Sequence, residues 1–406
     1  MKYLDYIDLE YEPRKNDLIC LFRVEPAKGI SMKKAAGSIA AESSTGTWVH
    51  VKTEKPYVKK LAAKVFDIKR NLVKIAYPID LFEPGNMPNI MSSVAGNVFG
   101  MKNLKNLRLN DIHFPEKLLK SFRGPKYGID GIRKILKVKE RPLIGTIIKP
   151  KVGLKSKDHA KIAYEAWVGG CDIVKDDENL GNQKFNKFKE RLEKTLNMKE
   201  KAEKETGEKK IYMVNVTAET EEMLRRTKIV EEMGNEYVMV DIITVGWSAL
   251  QTLRNHDFDL VLHGHRAGHA MMTRNPKHGI SMKVLAKLNR IVGIDQLHVG
   301  AIGKMFEEKK EVLENLEAVK EEMYKLKPVM PVASGGLSPV DIPKIFEIFG
   351  KDVVIQAGGG IHAHKLGTRA GAAAMRQTLE AILKGISLEE YIKNHKELKI
   401  ALEEFK

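Results

Sequence analysis

The run Val174-Lys175-Asp176-Asp177-Glu178-Asn179 sets a lysine directly against three acids at the end of an apolar stretch. In a chain in which 30% of residues are charged, such a cluster is ordinarily an ion pair on a solvated face. Here Gly170-Cys171-Asp172-Ile173-Val174 reads as a buried strand, so the charges fall where a strand gives way to a loop, the place where barrel enzymes put their chemistry. Mg2+ suits the cluster because it takes hard oxygen ligands in an octahedron. Asp177 and Glu178 offer two carboxylates, and Lys175 obstructs only while it remains an ammonium. A lysine amine that captures CO2 as a carbamate gives up its positive charge for an anionic oxygen pair. The obstacle then becomes the third ligand.

Other strand ends carry chemistry of the same kind. One run closes in Lys149-Pro150-Lys151, another in His263-Gly264-His265-Arg266 with His269 nearby, and a third at His298 before the loop Gly300-Ala301-Ile302-Gly303-Lys304. The last two end in Ser334-Gly335-Gly336 and Gly358-Gly359-Gly360. Glycines after strands are often only tight turns, but glycine turns after the last two strands of a barrel sit where phosphate is commonly held by backbone amides. His263-Gly264-His265 also suggests zinc held by alternate histidines of one strand face. Arg266 directly after it would repel that cation, and the pair follows the fifth strand rather than the first. Zinc is therefore set aside.

These residues need a scaffold that gathers strand ends. From about residue 140, short β-branched runs alternate with stretches of helical period. The runs are 143–148, 172–174, 211–216, 237–243, 260–262, 296–299, 329–333 and 353–356; helices are expected over 158–167, 185–206, 220–233, 282–291 and 311–326. Such repetition predicts a parallel (β/α)8 TIM barrel over 140–406. Residues 1–115 have another rhythm, with strands expected over 18–24, 47–51, 72–79 and 107–114 and helices over 32–41, 58–66 and 90–99. That order predicts an α+β, ferredoxin-like N-terminal domain. Residues 116–139 form a connecting segment with a short amphipathic helix.

Composition narrows the class. The chain has 406 residues, enough for two domains with a sizeable core. Its opening residues lack the apolar centre of a secretion signal, and no run approaches membrane-span length, so no membrane partner and a cytoplasmic location are expected. Two cysteines, Cys20 and Cys171, each in an apolar run, give no disulfide framework. A net charge of +16 raises nucleic acid as a partner. Lysine is, however, interleaved with glutamate and lacks an aromatic-studded stripe, so solvated helix faces are expected and nucleic acid is not. The positive field would still gather an anionic, phosphorylated substrate.

Taken together, the strings Glu42-Ser43-Ser44-Thr45-Gly46-Thr47-Trp48, Gly96-Asn97, Gly145 to Lys151, Gly170 to Asn179, His263 to His269, Ala333 to Gly336 and Gln356 to Gly360 resemble, in order and over almost the whole chain, the large subunit of ribulose-1,5-bisphosphate carboxylase/oxygenase. The short C-terminal tail is similar to the archaeal, form III-like branch. The resemblance implies that Lys175 is carbamylated, binds Mg2+ with Asp177 and Glu178, and acts as base when the sugar bisphosphate enolises. It implies that Lys149 manages protons, supported by Lys151 and His265, and that Lys304 closes over the site on its loop. Arg266 and His298 would hold one phosphate; Thr47, Trp48, Lys304, Gly335, Gly336, Gly358 and Gly359 would serve the other; Ser334 would bind a substrate hydroxyl. Glu42, Thr47, Trp48 and Asn97 would reach the site of a neighbouring subunit, making a homodimer, or an assembly of dimers, the active form, with no small subunit.

The expected activity is addition of CO2 to the enediolate of ribulose 1,5-bisphosphate to give two 3-phosphoglycerates, with O2 in a side reaction and with substrate supplied by nucleotide (AMP) breakdown. Relatives that are enolases or isomerases of a phosphorylated sugar or thiosugar form the alternative, but they typically lose several residues that this chain keeps. Two departures stand out. The segment from His298 to Lys304 is a residue short of the usual pattern, with Phe306-Glu307 replacing Glu-Gly, and Gly360-Ile361-His362 lacks the usual threonine.

Overall fold

Residues 2–47, 49 and 51–405 are described by a computed structural model. The chain divides into two compact units, Met1–Arg123 with Gly268–Val292, and Gly124–Ala267 with Gly293–Lys406.

In the first unit, Leu18–Pro26 alternates buried Leu18, Cys20, Phe22 and Val24 with more accessible residues, the period of a strand with one face on a core. It pairs antiparallel with Leu72–Tyr77 on one side and Leu104–His113 on the other, setting Cys20 opposite both Ile75 and Ile112. Helix Met32–Glu42, capped by the Ser31 side chain accepting from the Lys34 N–H, buries Ala35 to Ala41. Lys64–Lys69 forms the outer strand beside Leu72–Tyr77, and the chain order is the βαββαβ of a ferredoxin-like sheet. A two-residue strand, Gly279–Ile280, adds parallel to Leu104–His113. Helix Met282–Val292 packs in the same unit, where Lys283 and Lys287 pair with Asp111 at 2.8 and 2.7 Å.

Local expectations needed correction here. The segment expected as helix 58–66 is a 3-10 turn, Pro56–Leu61, followed by strand Lys64–Lys69. Antiparallel pairing with Leu72–Tyr77 draws K-V-F-D-I-K into the sheet edge, overriding its weak local pattern. The strand expected over 47–51 is not formed at the described positions 47, 49 and 51, while Trp48 and His50 lie outside the described residues. The helix expected over 90–99 is helix Met87–Val94 followed by a 3-10 turn, Asn97–Gly100; Gly96 lies between them.

The second unit is a closed barrel of eight parallel strands among the described residues: Leu143–Ile147, Ile173–Lys175, Ile211–Asn215, Tyr237–Asp241, Val261–His265, Gln296–His298, Met330–Ser334 and Val354–Ala357. Most of these runs are buried throughout, which is why they are continuously apolar rather than alternating. Ile129, Ile132 and Leu136 of helix Gly128–Leu136 pack against Leu143, Ile211, Met239 and Val354 in one apolar cluster. Burial of such side chains contributes about 1.5–3 kcal/mol each. Register then fixes the chemistry at the other end, placing Ile147 beside Lys175 and Asp241 beside His265. Among the described residues no helix is long and apolar enough to cross a membrane.

Candidate active site

Lys175 is the last residue of its strand, and its side chain is fully buried. Its Nζ donates to the Asp176 carbonyl at 2.7 Å, contacts Met239 Sδ at 3.0 Å and stands 3.6 Å from Glu178 Oε2. Burial pulls this amine below the usual lysine value, against the raising effect of Glu178, Asp177 and Asp241. An amine shifted in that direction is more readily available as a neutral nucleophile. Asp177 Oδ2 accepts from Lys149 Nζ at 3.0 Å. Burial would raise the Asp177 carboxyl, but Lys149 and Asn179 outweigh it and hold it below the ordinary range. Glu178 is likewise held low, because His265 and Lys175 together outweigh its burial.

No cluster of three or more His, Cys, Asp or Glu side chains able to hold a metal is present among the described residues. Two carboxylates flanking a buried lysine amine are instead the donor set expected if that amine must first be converted to an oxygen ligand. The residues present therefore fit Mg2+ with CO2 on Lys175.

Three supporting networks had no signal in the local sequence. Asp176, between Lys175 and Asp177, is wholly buried and accepts from Tyr212 Oη at 2.6 Å, Arg191 Nε at 3.1 Å and the Asn215 N–H at 3.0 Å; His159 Nε2 lies 3.1 Å away. Asn215 Nδ2 donates to the carbonyls of Glu178 and Leu180 at 3.0 and 3.2 Å, fixing the loop that carries both acids. Asp172, at the other end of the strand, takes two 2.7 Å bonds from Arg141, one of 3.2 Å from Arg376 and one of 2.8 Å from the Ile144 N–H. Lastly, Asp241 Oδ1 accepts from His265 Nδ1 at 2.8 Å, leaving Nε2 toward Glu178 at 3.6 Å.

The residues expected to meet phosphate occupy other partners. Arg266 Nη1 lies 2.5 Å from Glu307 Oε1, both side chains buried, and Lys304 Nζ lies 2.7 Å from Asp341 Oδ1. His298 is buried between His263 and Ser334, its Nδ1 2.6 Å from Ser334 Oγ. Gly335 and Gly336 have φ of 113° and 64°, left-handed values that favour glycine. A Cβ on Gly358 would come 3.1 Å from Lys149 Cε, so glycine there gives the lysine its room. Gly359 opens the short helix Gly359–His362.

Lys151 is exposed on the loop beyond Lys149. In the first unit, Asn97 Nδ2 donates to Glu42 Oε1 at 3.2 Å, bringing those two residues together, and Thr47 is exposed with its hydroxyl on the Val49 carbonyl at 2.5 Å. Trp48 lies outside the described residues.

Comparison with known proteins places these features in a family. Residues 5–118 match the N-terminal domain, and 128–405 the catalytic domain, of the ribulose bisphosphate carboxylase large chain. The chain is 52% identical to the ribulose bisphosphate carboxylase of Methanosarcina mazei, covering 98% of each, and 51% identical to that of Methanocaldococcus jannaschii, covering 99% of this chain and all of the other. Its structure is similar to the octameric Rubisco of Pyrococcus horikoshii OT3, crystallised with sulfate, with a TM-score of 0.96, 46% identity and coverage of 100% and 97%. It is also similar to the dimeric archaeal Rubisco of Hyperthermus butylicus, with a TM-score of 0.93, 46% identity and 99% coverage of both chains. With both domain models matched in order and half of all residues shared along the full length, the chain belongs to the ribulose bisphosphate carboxylase large-chain family.

Proposed function

We propose that the protein is a ribulose-1,5-bisphosphate carboxylase, a carbon-carbon lyase that joins CO2 and water to ribulose 1,5-bisphosphate and releases two molecules of 3-phosphoglycerate, with O2 competing for the same intermediate. The observation that carries this reading is the buried Lys175 amine set 3.6 Å from Glu178, beside the 3.0 Å Lys149–Asp177 pair, at the strand ends of a closed barrel.

Mg2+ held by carbamylated Lys175, Asp177 and Glu178 would supply positive charge against the negative charge that develops on the sugar's carbonyl oxygen. Lys175 in that form is the base for the proton next to the ketone. Lys149, already within hydrogen-bonding distance of Asp177, moves protons at the reacting carbons, and Asp241 holds His265 in orientation beside it. Arg266 and His298 bind one phosphate; Lys304 with the glycine turns Gly335-Gly336 and Gly358-Gly359 binds the other. Two tethers fix a five-carbon chain against the base and make the reaction effectively unimolecular. Ser334 bonds a substrate hydroxyl. Lys304 then leaves Asp341 as its loop closes, excluding water and meeting the new carboxylate. Lys151 supports Lys149 in the closed state. Glu42, Thr47, Trp48 and Asn97 complete the site of a second subunit, so a homodimer is the smallest active assembly.

The test is turnover of ribulose 1,5-bisphosphate with Mg2+ and labelled bicarbonate, in the wild type and in Lys175→Ala. Label should appear in phosphoglycerate with the wild type alone. Substrate consumed without label entering product would favour an enolase or isomerase, and turnover surviving in the variant would refute the role of Lys175.

A further inference from the structure

One line of polar side chains crosses the barrel beside the candidate site and is only partly used by the proposed mechanism. Gln296 Oε1 faces His263 Nδ1 at 3.2 Å, His263 Nε2 faces His298 Nε2 at 3.0 Å, and His298 Nδ1 faces Ser334 Oγ at 2.6 Å. Gln296, His263 and His298 are buried on neighbouring strands, and the two imidazoles meet edge to face at 80°.

Hydrogen-bonding capacity orders the protons along this line. With the Gln296 carboxamide oxygen turned to His263, that ring carries its proton on Nδ1, because such an oxygen only accepts. Its Nε2 is then a lone pair, and His298 must carry its proton on Nε2. His298 Nδ1 is in turn a lone pair, so the Ser334 hydroxyl donates into it. The outcome at the end of the line is a serine whose proton is committed to His298 and whose oxygen presents only lone pairs to the pocket. Burial, together with the nearby Lys175 and His265, holds both His263 and His298 well below the ordinary histidine value, and Arg266 adds to the effect on His298. The neutral rings that this ordering requires are thus the favoured ones.

We propose that Gln296 and His263 are positioning residues that fix the direction of the Ser334 hydroxyl, so that Ser334 receives a hydrogen bond from a substrate hydroxyl instead of giving one. This rests on the placement of Ser334 against substrate made above. Neither residue touches substrate; each acts through the tautomer of its neighbour. In this ordering Nδ1 is a lone pair, so His298 donates to a phosphate from that edge only once Nδ1 gains a proton, and Ser334 then no longer donates to it; holding phosphate and directing Ser334 are alternative states of one ring.

The experiment is steady-state carboxylation of ribulose 1,5-bisphosphate by the full-length enzyme carrying Gln296→Leu, Ser334→Ala or both, and by His263→Leu and His263→Gln. Gln296→Leu should lower kcat/KM about tenfold, the worth of one oriented hydrogen bond. Added to Ser334→Ala it should cost nothing further, since no hydroxyl remains to direct. His263→Leu should lose as much as Gln296→Leu. His263→Gln should recover most of the activity, because a carboxamide oxygen near the Nε2 position still accepts from His298. Additive losses for Gln296→Leu and Ser334→Ala, or equal losses for the two His263 variants, would overturn the proposal. Wild-type kcat/KM in Ser334→Ala alone would remove the placement of Ser334 on substrate instead.

Discussion

Replacing Asp172 by asparagine tests how firmly the strand bearing Lys175 is anchored at its far end. The carboxylate is 1% exposed. Burial by itself would raise its pKa, but Arg376 and Arg141, with the Ile144 N–H, outweigh burial and lower it from 3.8 to about 2. A drop of that size is worth about 2 kcal/mol of folding stability. Because the folded value lies below the unfolded one, this contribution is complete above about pH 4 and disappears as pH falls through about 2. At neutral pH Asp172→Asn should therefore lose at least that much, and more to the extent that Arg141 and Arg376 are left unpaired in a buried setting. The assay is denaturant unfolding of wild type and variant at a series of pH values from 7 down to the acid limit. The gap between the two should be full at pH 7 and narrow below pH 4. A gap that is negligible at neutral pH, or constant throughout, would refute the argument.

Two further outcomes are expected. Gly358→Ala places a Cβ 3.1 Å from Lys149 Cε and should displace that lysine by a few tenths of an ångström, lowering kcat/KM about tenfold while leaving the melting temperature within a few degrees; unchanged kinetics would show that Lys149 has room to spare. Glu307→Gln removes the carboxylate from Arg266 and should lower KM for ribulose 1,5-bisphosphate, at a stability cost of about 3 kcal/mol for an uncompensated buried charge; a raised KM would mean that Glu307 orients the guanidinium rather than competing for it.

The barrel was legible because parallel strands covered on both faces read as unbroken β-branched runs, and each observed strand overlaps one of the eight runs recognised in the sequence, though Val261–His265 extends three residues past the expected 260–262. Lys175 was expected just past its strand and is its final residue. The edge of the N-terminal sheet was less legible: Lys64–Lys69 has a weak alternation, and only pairing with Leu72–Tyr77 makes it a strand. At the candidate site, Asp177, Glu178 and Lys175 stood out because they cluster in sequence. Asp172 with Arg376, Asp176 with Tyr212 and Arg191, and Asp241 with His265 did not, since each pair lies between 15 and 204 positions apart. Nothing local marks one arginine among many as the partner of a given buried acid. Glu307 departs from the usual pattern in sequence, but 41 positions separate it from Arg266 and only the fold brings the two together.

The return of Gly268–Val292 to the N-terminal sheet has a consequence for biosynthesis. As the chain leaves the ribosome, residues 1–123 emerge first, yet Leu104–His113 lacks its outer neighbour Gly279–Ile280, and Asp111 lacks both of its lysines, until roughly 290 residues have been translated. Five barrel strands are by then already made. The first unit must therefore wait, unfinished, while most of the second is being synthesised, and a gene fragment ending at Arg123 would encode a sheet with a missing edge rather than an independent module.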